Sequence, residues 1–349
     1  MPLDATRAEI AGTPAALANA LESLAAPICD LAAALARRHV ARVAVVGSGD
    51  SLAVGMMAAP GFAEFAGKPV EAIQAYEYAT YGHPAFGRNL AAFLISSSGR
   101  PSPTRDALTR ALGSDAFVVG VSDRAAADNP FLTRPPHALC PGAAKRGMPT
   151  QSTIVTLAVL LRLAVEWGRT LGHAPGDRAL EELRAMPDHL AATARTHGDT
   201  ARAIGASLAG WRRIHIVGAG PNVGTAHAGA LLFAGAAGLV ATAHAVEEIH
   251  HALRLASLGR QDMVLVLLPP GTRAEARLID TIAAAKGRGA HVVVLGTGEV
   301  PLPGTLEPFS PLLLLPILQQ IALGAGQAVA QDATEPFRTR PVPPTELAP

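Results

Sequence analysis

Two short apolar runs, each stopping at a pair of glycines and followed by small residues, set the pattern of this chain. The first is Val43-Ala44-Val45-Val46-Gly47-Ser48-Gly49-Asp50-Ser51, and the second is Ile214-His215-Ile216-Val217-Gly218-Ala219-Gly220-Pro221-Asn222. A β-branched run that ends in Gly-x-Gly and passes straight into an Ala/Gly-rich segment predicts the strand, tight turn and helix start of a βα unit. Such a turn turns free backbone N–H groups toward an anion. Its recurrence about 170 residues later predicts two copies of one α/β module, near the usual domain size.

Further elements follow from the same periodicities. Leu17, Leu21, Leu24, Ile28, Leu31 and Leu35 recur at helical spacing, and Arg37-Arg38-His39 close the last turn, where cations suit a helix C-terminus. This amphipathic segment needs the first module or a second subunit to cover its stripe. Apolar runs predict strands at 70–74, 90–95, 117–121, 137–140, 239–243, 263–268 and 291–295, and helices at 52–66, 106–112, 154–167 and 317–330. Tyr76, Tyr78 and Tyr81 fall in what reads as a loop, where packing, ahead of contact with a ligand or a partner, would suit them. Strands alternating with helices predict a doubly wound parallel sheet in each module, with ligands at the carboxyl ends of the strands. The expected organisation is an N-terminal helical segment 1–39, a first module 40–170, a polar linker with helix 171–200, a second module 201–334 and a Pro-rich tail 335–349.

Composition narrows the functional classes. With 349 residues the chain has room for two domains, each with its own core. Hydrophobic residues make up 49% and aromatic ones 4%, so the core is built from Ala, Val, Leu and Ile, as helices on parallel sheets require. A net charge of +1 provides no basic stripe for nucleic acid and no polybasic segment for an acidic membrane. No apolar run reaches the roughly 20 residues that span a bilayer, and Asp4, Arg7 and Glu9 break any signal-peptide pattern. Cys29 and Cys140 have neither disulfide-framework nor metal-ligand spacing, so they read as buried thiols in a reducing cytoplasm. No cofactor and no metal are expected.

Three stretches carry candidate chemistry. After the strand at 90–95 comes Ser96-Ser97-Ser98-Gly99-Arg100-Pro101-Ser102-Pro103-Thr104, three consecutive hydroxyls and a glycine before a helix. That is a phosphate-binding arrangement or a plain capped turn. The segment 141–153 leads into an apolar helix and carries Lys145, Thr150 and Ser152. Glu247, Glu248, His250 and His251 form the densest titratable cluster of the chain.

Taken together, Gly47-Ser48-Gly49-Asp50-Ser51, Ser96-Ser97-Ser98-Gly99 and the Gly/Thr/Ser segment before a long helix resemble the sugar isomerase (SIS) domain family. The whole chain resembles a double-SIS protein, similar to the isomerase half of glucosamine-6-phosphate synthase and to related sugar-phosphate deaminases and deglycases. The resemblance implies two tandem flavodoxin-like modules and a homodimer whose sites lie between modules and subunits. It implies that Ser51, Ser96 and Ser98 hold a substrate phosphate with help near Ser97 and Gly99, that Thr150 and Ser152 line the sugar, and that His251 opens the sugar ring.

The departures from the family pattern are chemical. Pro101 stands where the family has a Thr or Ser, leaving Ser102 or Thr104 as substitutes, and Lys145 stands where many members have a glutamate. Gly235 occupies the place of the isomerising glutamate, Leu232 that of a helix lysine, Pro341 that of a tail lysine and Phe337 that of a tail arginine. A base must then come from elsewhere, with Glu247 or Glu248 nearest in sequence, since proton transfer between adjacent carbons needs a carboxylate or its equivalent. Lys145 would offer an ammonium to phosphate or an amine to an open-chain sugar. The expected function is a sugar-phosphate, preferably amino-sugar-phosphate, isomerase or deaminase. Its alternative is a sugar-phosphate-binding sensor or partner subunit whose catalysis has been lost. Nucleotide binding through Gly218-x-Gly220-x-x-x-Gly224 lacks a ribose-binding acid.

Overall fold

The computed structural model describes residues 3–82, 86–173, 176–251 and 254–332, with side chains to residue 330. The expected Pro-rich tail at 335–349, with Phe337 and Pro341, lies outside the described residues. The chain opens with α1 (Leu3–Ser23) and α2 (Ala25–Arg37). The first unit follows as β1 (Arg42–Gly47), α3 (Asp50–Ala66), β2 (Val70–Gln74), α4 (Ala75–Tyr81), β3 (Leu90–Ile95), α5 (Ser102–Leu112), β4 (Phe117–Val121), α6 (Pro130–Thr133) and β5 (His137–Leu139). Then come the long helices α7 (Gln151–Thr170) and α8 (Gly176–Leu208). The second unit is β6 (Arg213–Gly218), α9 (Asn222–Ala237), β7 (Ala241–Ala245), α10 (Val246–His250), β8 (Asp262–Leu267), α11 (Glu275–Gly287), β9 (His291–Gly296), β10 (Val300–Pro301) and α12 (Ser310–Asp332).

Among the described residues each unit has a five-stranded sheet with every pairing parallel, in the orders β2-β1-β3-β4-β5 and β7-β6-β8-β9-β10. Both follow one doubly wound, flavodoxin-like order with helices on both faces. The order reverses beside β1 and β3, so the crevice for a ligand opens at the carboxyl ends of those strands.

Alternation along the strands distributes the core. Val43 and Val45 point to one side of the first sheet, Ala44 and Val46 to the other, where α4 and α5 cover them. The inner faces of both sheets, with α2, α3, α7, α8, α9 and α12, bury one continuous apolar cluster that includes Phe93 and Leu265. The expectation of a separate core for each module is therefore corrected: the units share their main core, and only the outer faces keep clusters of their own. Phe65 meets Phe309 at 5.2 Å across this junction, and a Cβ on Gly224 of α9 would lie 2.7 Å from the backbone nitrogen of Met57 on α3.

The leucine stripe of 1–39 is covered in one of the two expected ways, by α7 of the first module, together with α8. Other expectations change. The polar stretch at 171–200 is mostly the single helix α8, which runs through Pro187. The three tyrosines lie on a helix, α4, with Tyr78 buried and Tyr76 and Tyr81 exposed. Cys29 is exposed and Cys140 half-buried, so the reading of both as buried thiols fails. The segment 307–330 is long and apolar enough to cross a membrane by length and composition, but 78% of its apolar window is buried in the core.

Candidate functional site

The turn after β1 is shaped by its two glycines. A Cβ on Gly47 would lie 2.7 Å from that of Ser51, so the strand end can meet the helix start only as glycine, and Gly49 has φ +59°. Gly218 and Gly220 repeat both features, with Asn222 O 2.1 Å from a Cβ on Gly218 and φ +54° at Gly220. Ser51 is buried in the first turn of α3, and Ser48 Oγ accepts from Gln74 Nε2 at 3.3 Å.

The serine loop lies next to this turn because β3 pairs with β1. Gly99 has φ +66° and donates its N–H to Ser96 Oγ at 3.2 Å, and Ser98 Oγ accepts from Arg100 N at 3.4 Å. The end of β4 clamps the loop from the other side. Asp123 and Arg124 N–H donate to Ser97 O at 3.1 and 3.3 Å, Ser122 Oγ donates to Ser97 O at 3.1 Å, and Arg124 Nε donates to Ser98 O at 2.8 Å. Ser97 Oγ donates to Asp123 Oδ2 at 2.6 Å, and Ala143 N–H donates to Oδ1 at 3.2 Å. Burial pushes the Asp123 carboxyl up to about 6, the two hydrogen bonds and Lys145 pulling the other way and Asp50 reinforcing the rise. Thr104 Oγ1 donates to Pro101 O at 2.9 Å, which commits the hydroxyl expected to replace the family's missing contact.

The segment before α7 is held from the N-terminus. Glu9 on α1 accepts from the N–H groups of Arg146 and Gly147, the latter at 3.0 Å, and Thr6 Oγ1 accepts from Met148 N–H at 3.0 Å. Thr150 is fully buried, its hydroxyl 3.4 Å from Glu9 Oε2 and 3.3 Å from Met148 O, while its carbonyl accepts from Gln319 Nε2 at 3.1 Å. Ser152 Oγ is buried without a hydrogen-bond partner. The neighbouring Thr153 reaches the turn after β1: its hydroxyl lies 2.9 Å from Pro149 O and 3.3 Å from Asp50 Oδ2, and Lys145 Nζ stands 3.6 Å from the same carboxylate oxygen.

The second cluster lies elsewhere. Glu247, exposed on α10, is bound by Arg277 Nε at 2.8 Å and Nη2 at 3.0 Å, and the Arg277 hydrogen bond holds its carboxyl below the usual range. Glu248 is exposed, 3.9 Å from Arg254, and His251 is exposed at the end of α10. His250 Nε2 lies 2.7 Å from Thr281 Oγ1. Among the described residues no hydrogen bond or ion pair joins these groups to the serine loop. A groove of about 620 Å³ runs from Gly49, Leu52 and Met56 to His227, Ala234 and Thr242, linking the first turn to α9 and β7. Gly235 is half-buried on α9, and a Cβ there would meet only Met148 Sδ, at 3.8 Å.

Sequence reasoning missed Asp50, Asp123 and Thr153 as site groups. Asp123 had a signal, an acid two residues beyond the apolar run 117–121, at the carboxyl end of a strand. It also missed a chain of polar groups on the outer face of the second sheet. Asp262 is bound by Arg213, lies 3.4 Å from His215 Nε2, and His215 Nδ1 lies 3.0 Å from His244 Nε2. Burial depresses both imidazoles, His244 to about 4.

No protein-family model matches the chain. It is 28% identical over 262 residues to the isomerizing glutamine–fructose-6-phosphate aminotransferase of Zymomonas mobilis, a match covering 74% of this chain and 42% of that protein. The chain thus spans less than half the length of that relative. The C-terminal domain of glucosamine-fructose-6-phosphate aminotransferase from Francisella tularensis superposes with a TM-score of 0.80 at 15% identity, covering 95% of this chain and 99% of the domain. Tagatose-6-phosphate ketose/aldose isomerase from Escherichia coli superposes with a TM-score of 0.78 at 18% identity, covering 96% and 97%. The chain is thus related in sequence to that aminotransferase and shares the two-sheet fold of these solved structures along nearly its whole length.

Proposed function

We propose that the chain binds a phosphorylated sugar, an amino sugar by preference, in the crevice at the carboxyl ends of β1 and β3, and isomerises or deaminates it. One observation carries the reading. The glycine turn before α3 and the Ser96–Gly99 loop converge at the reversal point of the sheet, with backbone N–H groups and hydroxyls around a left-handed glycine. Ser51, Ser96 and Ser98, with the backbone at Ser97 and Gly99, form the phosphate cradle, and Thr150 and Ser152 support its wall from within.

His251 opens the ring by taking the anomeric hydroxyl proton and returning it to the ring oxygen. Glu248 then moves a proton between the two adjacent carbons, because Glu247 is tied up by both nitrogens of Arg277. Both groups are exposed and remote in bonding from the serine loop, so a second copy completes the site, and the working form is a cytoplasmic homodimer. The second reading, a binding protein without turnover, is favoured by Gly235, which puts no carboxylate beside Met148.

A thermal-shift screen of sugar phosphates against their unphosphorylated forms tests the reading. A rise in melting temperature with a phosphosugar, lost in Ser98→Ala, is the expected result, and NMR detection of product then separates enzyme from binder. A response confined to unphosphorylated sugars would sink the phosphate site.

A further inference from the structure

A cation stands beside the serine loop at a position where the family pattern has a glutamate. Lys145 Nζ is 3.6 Å from Asp50 Oδ2, and Thr153 Oγ1 lies 3.3 Å from the same oxygen. Asp50 is the first residue of α3 and precedes Ser51, so the pair lies at the mouth of the phosphate turn. Asp123, bonded to Ser97, feels both charges, Lys145 as attraction and Asp50 as repulsion. The three groups therefore occupy one end of the first sheet.

Two carboxylates at this end of the sheet oppose a bound phosphate, and Lys145 offsets them. A bound phosphate dianion would meet the Asp50 carboxylate and, above its titration, that of Asp123. Two of the loop's hydroxyls are committed, Ser97 to Asp123 and Thr104 to the Pro101 carbonyl. Arg124, the cation bonded to the loop itself, is spent on Ser98 O at 2.8 Å and Asp128 at 2.5 Å. Among the described residues Lys145 Nζ makes no hydrogen bond. Its contact with Asp50 is longer than a hydrogen bond, and a third of its side chain, 33%, is in solvent, so the ammonium can move without breaking the fold.

Building on the phosphosugar reading above, we propose that Lys145 is the cation of the phosphate subsite and that Asp50 is its latch. Asp50 holds the ammonium over the turn. When a phosphate monoester dianion binds, Nζ leaves Asp50 for a phosphate oxygen, so Asp50 competes with the ligand. No covalent bond forms.

The competition predicts opposite signs for two single variants. In isothermal titration of the full chain at fixed ionic strength, with inorganic phosphate and fructose 6-phosphate as probes, Lys145→Ala lowers affinity for both by about tenfold or more. Asp50→Asn raises it several-fold, on the order of threefold to tenfold. In the double variant the Asp50→Asn gain disappears, and Lys145→Arg retains most of the binding. Ser98→Ala reports on the loop independently. If Ser98→Ala weakens binding while Lys145→Ala does not, the phosphate reading stands and the lysine proposal is overturned. If the wild type binds neither probe, both fall. Weaker binding in Asp50→Asn would overturn the latch, and a borohydride-trapped sugar on Lys145 would assign the amine to an imine instead.

Discussion

Ser97 donates its hydroxyl hydrogen to Asp123 Oδ2 at 2.6 Å, so a half-buried carboxylate at the end of β4 holds the middle of the serine loop. Burial pushes that carboxyl from 3.8 up to about 6, so the loop acquires a negative charge as the pH rises through that value. Sulfate has a constant charge over this range and is expected to bind about threefold to tenfold more tightly at pH 5 than at pH 7. Asp123→Asn should flatten the dependence. Folding favours the protonated form of Asp123, so its contribution to stability is largest below the unfolded value of 3.8 and is lost as the pH rises to about 6. Titration with sulfate at the two pH values checks the binding arm, and equal affinities in the wild type would separate Asp123 from the anion site.

Glu9 ties the N-terminus to the candidate site. Its carboxylate accepts from Arg146 and Gly147 N–H, and its backbone carbonyl accepts from Gln151 Nε2 at 3.2 Å. Glu9→Ala leaves two N–H groups beside a buried glycine without their acceptor and is expected to cost about 2–4 kcal/mol. Urea unfolding should show a lower midpoint with the slope unchanged. Because the 141–150 segment also carries Lys145, phosphate affinity should fall in the same variant.

The legible part of this structure is the part written in local pattern. Strands 90–95 and 117–121 coincide with the apolar runs because each run is bounded by turn residues on both sides, while 70–74 has Gly67 and Pro69 before it and passes directly into α4. At β7 the reading 239–243 slips by two residues, since Val240 is exposed and the strand Ala241–Ala245 mixes Ala with Thr242 and His244. Helix α8 hid behind Pro187, and α12 behind Pro316, because each proline reads as a boundary while the long helix packs well enough to absorb it. The serine loop and both glycine turns were visible as motifs. The Glu9 clamp was not, because it joins residues 138 apart in sequence, and nothing local marks an acid on an amphipathic helix as a loop anchor.

His244 supplies a pH dependence of the opposite sign. Burial first, then the neighbouring charges of His215, Arg254 and His227, lower its pKa from 6.5 to about 4. The folded state therefore binds fewer protons than the unfolded chain between those values, and stability is full above 6.5 and declines as the pH falls toward 4. His244→Gln keeps a polar partner for His215 and is expected to remove part of the acid sensitivity. Thermal unfolding from pH 7 to pH 4 should show a smaller drop in melting temperature than the wild type, and parallel curves would place the acid sensitivity elsewhere.

Two glycines on α9 should respond oppositely to the same substitution. Gly224 sits against α3, where a Cβ would come within 2.7 Å of Met57 N and 2.9 Å of Ala53 O, both backbone atoms that cannot swing aside. Gly224→Ala must separate the two helices that join the units and is expected to cost about 1–3 kcal/mol. Gly235 has open space, its nearest contact being the flexible Met148 Sδ at 3.8 Å. Gly235→Ala removes backbone freedom from the unfolded chain and should stabilise by about 0.5–1 kcal/mol. If it does, packing does not require a glycine there, and the carboxylate found at this place in the family pattern is absent for a reason of chemistry. Gly235→Glu then becomes an informative variant: isomerase turnover appearing with the glutamate would mark the wild type as a binder on an isomerase frame. Turnover in the wild type that the glutamate leaves unchanged would place the base on another residue, Glu248 first.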